Sequence, residues 1–250
     1  MASPVGTLMR HWRRERRMSQ LGLATEMGTT QRHVSFVESG RAQPSRELIL
    51  RLSRALDVPL RERNQLLLAA GYAPHYRETG LDAPGLAQVQ TALRRMLAQQ
   101  EPYPAVVMDR HWDITDANDA ATALFTRLLD GPPPTPANVV RLMFGALRPY
   151  IANFDLTGEA LIARVHREAV GGIPDPRTTA LLEEVLAEPG IPAGWRTPDF
   201  AATASPILPV HFVKDDLDVS YFSLVTTVGT PQDVTLQEIR IECFFPTSPP

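Results

Sequence analysis

Proline is distributed very unevenly along this chain of 250 residues, and the distribution restricts the fold of each part. Five of the 23 prolines precede residue 100, and the other 18 follow it. Proline lacks a backbone N–H and disrupts the interior of helices and of central strands. The first hundred residues can therefore form unbroken helices. The remainder is expected to be rich in loops and to mix strands with helices.

The charge of the chain is also divided. Residues 1–75 contain twelve arginines, no lysine and six acidic residues, a net charge of +6, whereas residues 76–250 carry −9, which together make −3. A basic segment joined to an acidic one predicts that only the first part faces a polyanion such as DNA. Cys243 is the single cysteine, which excludes an internal disulfide framework.

The apolar stretches of the chain are too short for a membrane span. Charged residues or prolines interrupt each of them, and the N-terminus has no apolar leader. Hydrophobic residues make up 44% of the sequence, which is typical of a folded globular protein. A cytoplasmic protein without a membrane partner is expected.

The first 75 residues read as five short helices. Ser19 is suited to be the N-cap of a helix over QLGLATEM, which stops at Gly28, and either Thr29 or Thr30 can begin the next helix, QRHVSFVES. Two short helices separated by a tight glycine-containing turn form a helix-turn-helix unit. One helix over residues 5–17 precedes this unit, and two helices, RELILRLSRAL and RERNQLLLAAG, follow it.

The stretch SQLGLATEMGTTQRHVSFVESGRAQPS resembles the phage-repressor (Cro/C1, or XRE) class, and the likeness covers about residues 5–72. It implies that the third helix lies in the major groove of double-stranded DNA and reads base edges with its N-terminal half. Gln can pair with adenine and Arg with guanine, and Phe can contact a thymine methyl group. The expected DNA-binding residues are Gln20, Thr30, Gln31, Arg32, Ser35, Phe36 and Arg41, with Gln20 and Arg41 on phosphates.

Two further assignments concern the interior of this domain. The resemblance implies an internal ion pair between Arg13 and Glu38, which holds the first helix against the third. The apolar residues of the second and third helices are assigned to the core. These are Leu21, Leu23, Ala24, Val34 and Val37.

The rest of the chain divides into a linker region and a second domain, which gives boundaries of 1–75, 76–100 and 101–250. Residues 86–100 form an amphipathic linker helix whose apolar face packs within the chain or against a dimer partner. The sequence AVVMDRHWDITDAN reads as strand, turn and strand, and a helix opens at Asn118. Further helices are expected at about 137–147, at about 157–170 and from Asp175 onward.

Three strand-like runs end the chain: SPILPVHFVK, DVSYFSLVTTVG and VTLQEIRIECFF. In the last run, Ile239, Ile241, Cys243 and Phe245 face one side, and Arg240 and Glu242 face the other. Two strands, several helices and three more strands predict a five-stranded antiparallel sheet with helices on one face. The whole chain is therefore expected to be α+β.

This order of elements resembles a PAS domain, and with the head ending in VPLRERNQLLLAAGYAP the chain resembles the MmyB-like regulators of bacteria. The resemblance implies a sequence-specific transcription regulator whose PAS-like domain senses a small apolar ligand, with a fatty acid as the favoured example. Arg141, Arg196 or His211 could pair with a ligand carboxylate. The expected ligand-binding residues are Phe125, Leu128, Arg141, Met143, Phe144, Trp195, Phe212, Phe222 and Leu224.

Motifs of enzymes and metal sites are missing from the sequence. The histidines show no HExxH spacing, and the chain has no Walker loop, GxGxxG or GxSxG motif. We therefore expect no catalytic residue, no metal and no cofactor. Two alternatives to a sensor stay open: the second domain grips a partner protein, or it only dimerises the DNA-binding heads. A homodimer is expected in any case, because one head reads only a short half-site.

Overall fold

The computed structural model describes residues 3–170, 175–197 and 209–247. The chain divides into two compact units. The first unit comprises Met1–Thr79 together with Thr230–Gln237, and the second comprises Gly80–Gly229 together with Glu238–Pro250. Within the described ranges, no helix has the length and apolar character needed to cross a bilayer.

The first unit, hereafter the head, contains the five predicted helices. Serine and threonine side chains cap the second, third and fourth of them, as at Ser19 and Thr30. Gly28 adopts a φ of +63°, and the next residue, Thr29, donates its N–H to the carbonyl of Ala24, which closes a Schellman motif. The helices are α1 (Pro4–Glu15), α2 (Gln20–Glu26), α3 (Gln31–Glu38), α4 (Arg46–Ala55) and α5 (Leu60–Ala69).

The core of the head joins all five helices around the fully buried Trp12. Leu23, Val34 and Val37 are buried as predicted, but the prediction for Leu21 is wrong, since 59% of this residue is exposed. Leu23 and Ala24 face the core side of the short helix α2. Leu21 lies two residues before Leu23 and therefore points to the opposite side of this helix. At Gly6 of α1, a Cβ atom would lie 2.6 Å from the carbonyl oxygen of Val37, so only glycine permits this close helix approach.

The second unit contains the predicted antiparallel sheet of five strands, in the order β2-β1-β5-β4-β3. The strands are β1 (Ala105–Met108), β2 (Ile114–Ala117), β3 (Val210–Lys214), β4 (Leu217–Thr227) and β5 (Arg240–Pro246). Residues 205–208 of the first strand-like run lie outside the described residues. The helices are α6 (Ala87–Gln99), α7 (Asp119–Leu129), α8 (Val139–Phe144), α9 (Phe154–Val170) and α10 (Pro176–Leu186).

The two faces of this sheet carry different helices. Val106 and Met108 of β1 belong to the apolar cluster formed with α7, α8, α9 and α10, hereafter the inner cluster. Ala105 and Val107 point to the opposite face and pack with α6. The linker helix α6 therefore packs within its own chain and adds one helix to the face that the other four leave uncovered.

The run VTLQEIRIECFF is not a single strand. Its first part forms a short helix, α11 (Val234–Glu238), and β5 begins at Arg240. The carboxylate of Asp233 accepts a hydrogen bond from the backbone N–H of Thr235 at 2.9 Å, which favours the start of a helix there. The alternation typical of a strand holds only from Ile239 onward, where Ile239, Ile241 and Cys243 pack on the α6 side.

Candidate functional site

Helix α3 presents one accessible side formed by the predicted base-reading residues. Gln31 and Arg32 are exposed, and Ser35 and Phe36 are half-buried. Residues four apart lie on the same side of a helix, so Gln31 aligns with Ser35 and Arg32 with Phe36. Thr30 precedes them as the N-cap, where its side chain accepts the N–H of His33 at 3.2 Å. The hydroxyl of Thr30 is thus engaged in starting the helix.

Phe36 lies between two guanidinium groups. Arg32 is 5.1 Å and Arg41 is 5.9 Å from the centre of its ring. The backbone N–H of Arg41 also donates to the carbonyl of Phe36 at 2.8 Å, which fixes Arg41 beside the end of α3. Cation–π contacts restrain both arginines while leaving them exposed. Such groups can pair with guanine edges or with phosphates.

Gln20 is not part of this surface group, because its side chain is bound to Glu38. Its amide donates to Oε2 of Glu38 at 2.8 Å. Arg13 donates to both carboxylate oxygens of Glu38, at 2.6 and 3.0 Å, which confirms the predicted ion pair. Burial favours a raised pKa for Glu38, but hydrogen bonds from Arg13 and Gln20 and the charges of Arg13 and Arg10 outweigh it, so the pKa lies below its ordinary value.

The inner cluster brings together most of the predicted ligand-binding residues. Trp195 is the widest of them, and its ring meets Phe144 at 6.3 Å and Phe154 at 6.0 Å between centroids. A Cβ atom at Gly158 of α9 would lie 2.9 Å from this indole, so the absence of a side chain there makes room for it. The predicted residues buried in the cluster are Phe125, Leu128, Phe144, Trp195 and Phe212, and Met143 packs against it.

Phe222 and Leu224 lie on the other face of the sheet. Leu224 pairs with Cys243, which packs on the α6 side, and 56% of Leu224 is exposed. Phe222 stacks on Phe245 with ring centroids 5.6 Å apart. Side chains alternate along a strand, so once Tyr221 packs on the inner cluster its neighbour Phe222 must point away.

The predicted carboxylate anchors have partners within the chain. Arg141 forms three hydrogen bonds with Glu184 at the surface, the shortest at 2.7 Å. Arg196 donates to the carbonyl of Leu186 at 3.0 Å. The ring of His211 lies 2.6 Å from a carboxylate oxygen of Asp218. Each of these three side chains is therefore engaged by a different group of the chain.

A charged group that the sequence analysis did not identify borders the inner cluster. The guanidinium groups of Arg164 and Arg240 lie 4.6 and 5.1 Å from the ring of the buried Trp112. Arg164 is 3.4 Å from Glu242, which is 7% exposed and accepts a hydrogen bond from Ser223. The alternation of β5 was the available signal, because it places Arg240 and Glu242 on the face opposite to Ile241.

Comparison with known proteins assigns both parts of the chain. A model described as the MmyB-like transcription regulator ligand binding domain matches residues 89–250, and a helix-turn-helix model matches residues 9–63. Over 60 residues the chain is 37% identical to multiprotein-bridging factor 1 of Candida albicans (strain SC5314) and to that of Debaryomyces hansenii (strain CBS 767). Each match covers 24% of this chain and 40% of the relative, so the chain spans less than half of those proteins.

Among solved structures, an RNA-binding light-oxygen-voltage receptor aligns with 98% of this chain and 60% of its own, at 12% identity and a TM-score of 0.30, which is too low to support an argument. The family model, in contrast, spans well over half of the chain. The head carries a helix-turn-helix with an accessible third helix, and the second unit contains most of the matched ligand-binding domain. The chain therefore belongs to the family of MmyB-like transcription regulators, which bind DNA and carry a ligand-binding domain.

Proposed function

We propose that this DNA-binding regulator acts as a cytoplasmic homodimer and senses a small apolar ligand, a fatty acid or similar acyl compound, through its second unit. It acts by binding and not by catalysis. The inner cluster carries this proposal, because it joins aromatic and aliphatic side chains from four helices with the inner face of the sheet. Acyl chains gain roughly 0.8 kcal/mol for each CH₂ group that such an environment removes from water.

Each of the predicted residues around α3 has its own proposed role in DNA binding. Gln31, Arg32, Ser35 and Phe36 read base edges, and Arg41 binds a phosphate. Gln20, at the first position of α2, is proposed as a second phosphate contact through the amide hydrogen that Glu38 does not accept, with Thr30 beside the reading surface. The two exposed guanidinium groups that flank Phe36 support this arrangement, since phosphate contacts fix the register in which bases are read.

Ligand entry requires the inner cluster to open. Phe125, Leu128 and Phe144 are packed against neighbouring side chains in this structure, so an acyl chain has to separate the helices from the sheet. The free energy for this rearrangement comes from burial of the acyl chain, and longer ligands should therefore bind more tightly. Arg164 is proposed to attract the carboxylate in exchange for Glu242, its present partner, because it lies against Trp112 of the cluster.

A titration with saturated fatty acids of increasing length tests the sensor. We expect the melting temperature of the protein to rise with the length of the fatty acid and the operator affinity to change in parallel. Arg164→Ala should weaken the response to the free acid more than Arg141→Ala, a matched arginine that is paired with Glu184 at the surface. Stabilisation without any change in operator affinity would keep the ligand site and exclude a switch.

Dimerisation alone is the second candidate function of this unit. The close packing of the inner cluster favours it, because a filled core needs no ligand for stability. Absence of stabilisation by fatty acids of any length, together with a dimer in solution, would support this candidate over the sensor.

A further inference from the structure

The segment Thr230–Gln237, hereafter the insert, leaves the sheet between β4 and β5 and folds as part of the head. The chain therefore passes between the two units at three places: after Thr79, after Gly229 and after Gln237. Only two residues separate the end of β4 at Thr227 from the insert, and Glu238 and Ile239 alone separate the insert from β5.

Asp233 fixes the first part of the insert in the head. It is 8% exposed, and its carboxylate accepts hydrogen bonds from the hydroxyl of Thr79 at 2.6 Å and from the backbone N–H of Thr79 at 3.2 Å. The N–H of the fully buried Val234 donates to the carbonyl of Arg77 at 2.8 Å. The insert is thus paired with the backbone of the segment that follows α5.

Gln237 fixes the last part of the insert to α5 itself. Helix α5 begins after Pro59, whose side chain offers no hydrogen bond to the first N–H groups of the helix. The side-chain oxygen of Gln237 accepts the N–H of Leu60 at 2.6 Å. A residue 177 positions away in sequence therefore supplies a cap that the local sequence of α5 lacks.

We infer that the insert is the element through which the ligand-binding domain acts on the DNA-binding head, an inference that rests on the proposed sensor function. Strand β4 leads into the insert and β5 follows it. Thr227 at the end of β4 is paired with Arg240 at the start of β5. The same strands carry Ser223 and Glu242 on the face of the inner cluster. A shift of β4 and β5 is transmitted to the N-terminus of α5 through the two short covalent connections that join these strands to the insert.

Hydrogen exchange of the full chain tests this coupling by its reciprocal effect. The probe is a duplex DNA selected by the full chain from a randomised library. In the wild type, DNA should slow exchange in α3 and also, severalfold, at residues 224–227 and 240–242. The double variant Thr79→Val, Gln237→Ala should keep the protection of α3 and lose that of the strand ends. Gln232→Ala changes an exposed glutamine of the same insert and should behave as the wild type.

Protection confined to the head in the wild type would overturn the inference, as would strand protection that persists in the double variant. If α3 itself gains no protection, the assigned DNA contacts fail, and Leu52→Ala then decides the inference. This substitution weakens the packing inside the head, since Leu52 is buried in its core. The coupling is supported if Leu52→Ala speeds exchange at the strand ends when Thr79 and Gln237 are intact but not in the double variant. Unchanged exchange at the strand ends contradicts it.

Discussion

Glu38 is a buried carboxylate whose ionisation stabilises the head. Because its folded-state pKa is lowered, the stabilisation is present above the ordinary glutamate pKa and is lost as the pH falls through the lowered value. Glu38→Gln leaves Arg13 without its partner charge and should cost about 3 kcal/mol of unfolding free energy at neutral pH. Urea titrations at several pH values measure this change.

The control for Glu38 is Glu47→Gln, which changes an exposed glutamate in the first turn of α4. This variant should retain the wild-type stability and its loss in acid, whereas Glu38→Gln should weaken the dependence on acid. Equal acid dependence in Glu38→Gln and the wild type would show that another group controls it.

Arg32 is the residue that we expect to discriminate between bases. Arg32→Ala should weaken specific DNA binding by about 1–3 kcal/mol and relax the preference at one base position. Arg41→Ala should weaken binding to all sequences more evenly, because a phosphate contact carries no sequence information. Fluorescence anisotropy at a fixed salt concentration measures both effects.

Arg54→Ala serves as the matched control, since Arg54 is exposed near the end of α4 and donates within its own helix to Leu50. Operator affinity of Arg32→Ala equal to that of Arg54→Ala would show that α3 reads DNA in a different register.

At the scale of secondary-structure elements, Asn118 joins three of them with one side chain. Its oxygen accepts the N–H groups of Ala105 in β1 and Ala121 in α7, both at 2.9 Å. Its amide group donates to the carbonyls of Leu97 and Tyr103 at 3.3 and 2.8 Å. Asn118 is 6% exposed, so none of these groups would gain full hydration if the side chain were lost.

Asn118→Ala should therefore lower the unfolding free energy of the second unit by about 2–3 kcal/mol, from the lost helix cap and the buried groups left unpaired. The predicted change is larger than that of Asp175→Ala, which removes the cap of α10 at a less buried position. Thermal unfolding of the full chain, followed by near-ultraviolet circular dichroism, compares the two variants. An unaltered transition in Asn118→Ala would contradict the joining role.

Helix α11 shows how a short element can escape a periodicity argument. The five residues VTLQE precede a clear alternating pattern, which predicts that they belong to the same strand. Asp233 instead caps a helix, and Val234 is completely buried. In a segment this short, the cap from Asp233 and the burial of Val234 outweigh β propensity. Both depend on groups outside the segment, so the pattern within it does not reveal them.

At the scale of the whole molecule, the division of charge assigns DNA contact to the head. One head exposes a single reading helix, which covers too few bases to select an operator in a genome. We therefore expect the protein to form dimers in solution and to bind roughly palindromic sites with two half-sites about one helical turn apart. Light scattering of the free protein and of its DNA complex measures the assembly. A monomer under both conditions would exclude this prediction.

Much of the molecule follows from the sequence because the responsible interactions are local. Ser19 and Thr30 cap helices through N–H groups three residues away, and Gly28 ends a helix through its own left-handed backbone. The alternation from Ile239 to Phe245 fixes the two faces of β5. The arginine content of the first 75 residues and the repressor-like spacing together indicate the DNA-binding function.

Other features depended on contacts between distant residues. Arg141 was a reasonable carboxylate anchor until folding placed Glu184, 43 residues later, beside it. The face occupied by Phe222 and Leu224 depended on which side of β4 the helices cover, a choice that two large apolar residues do not reveal. The insert joined the head because Thr79 and Asp233 meet across 154 residues, and no local pattern encodes a hydrogen bond at that separation.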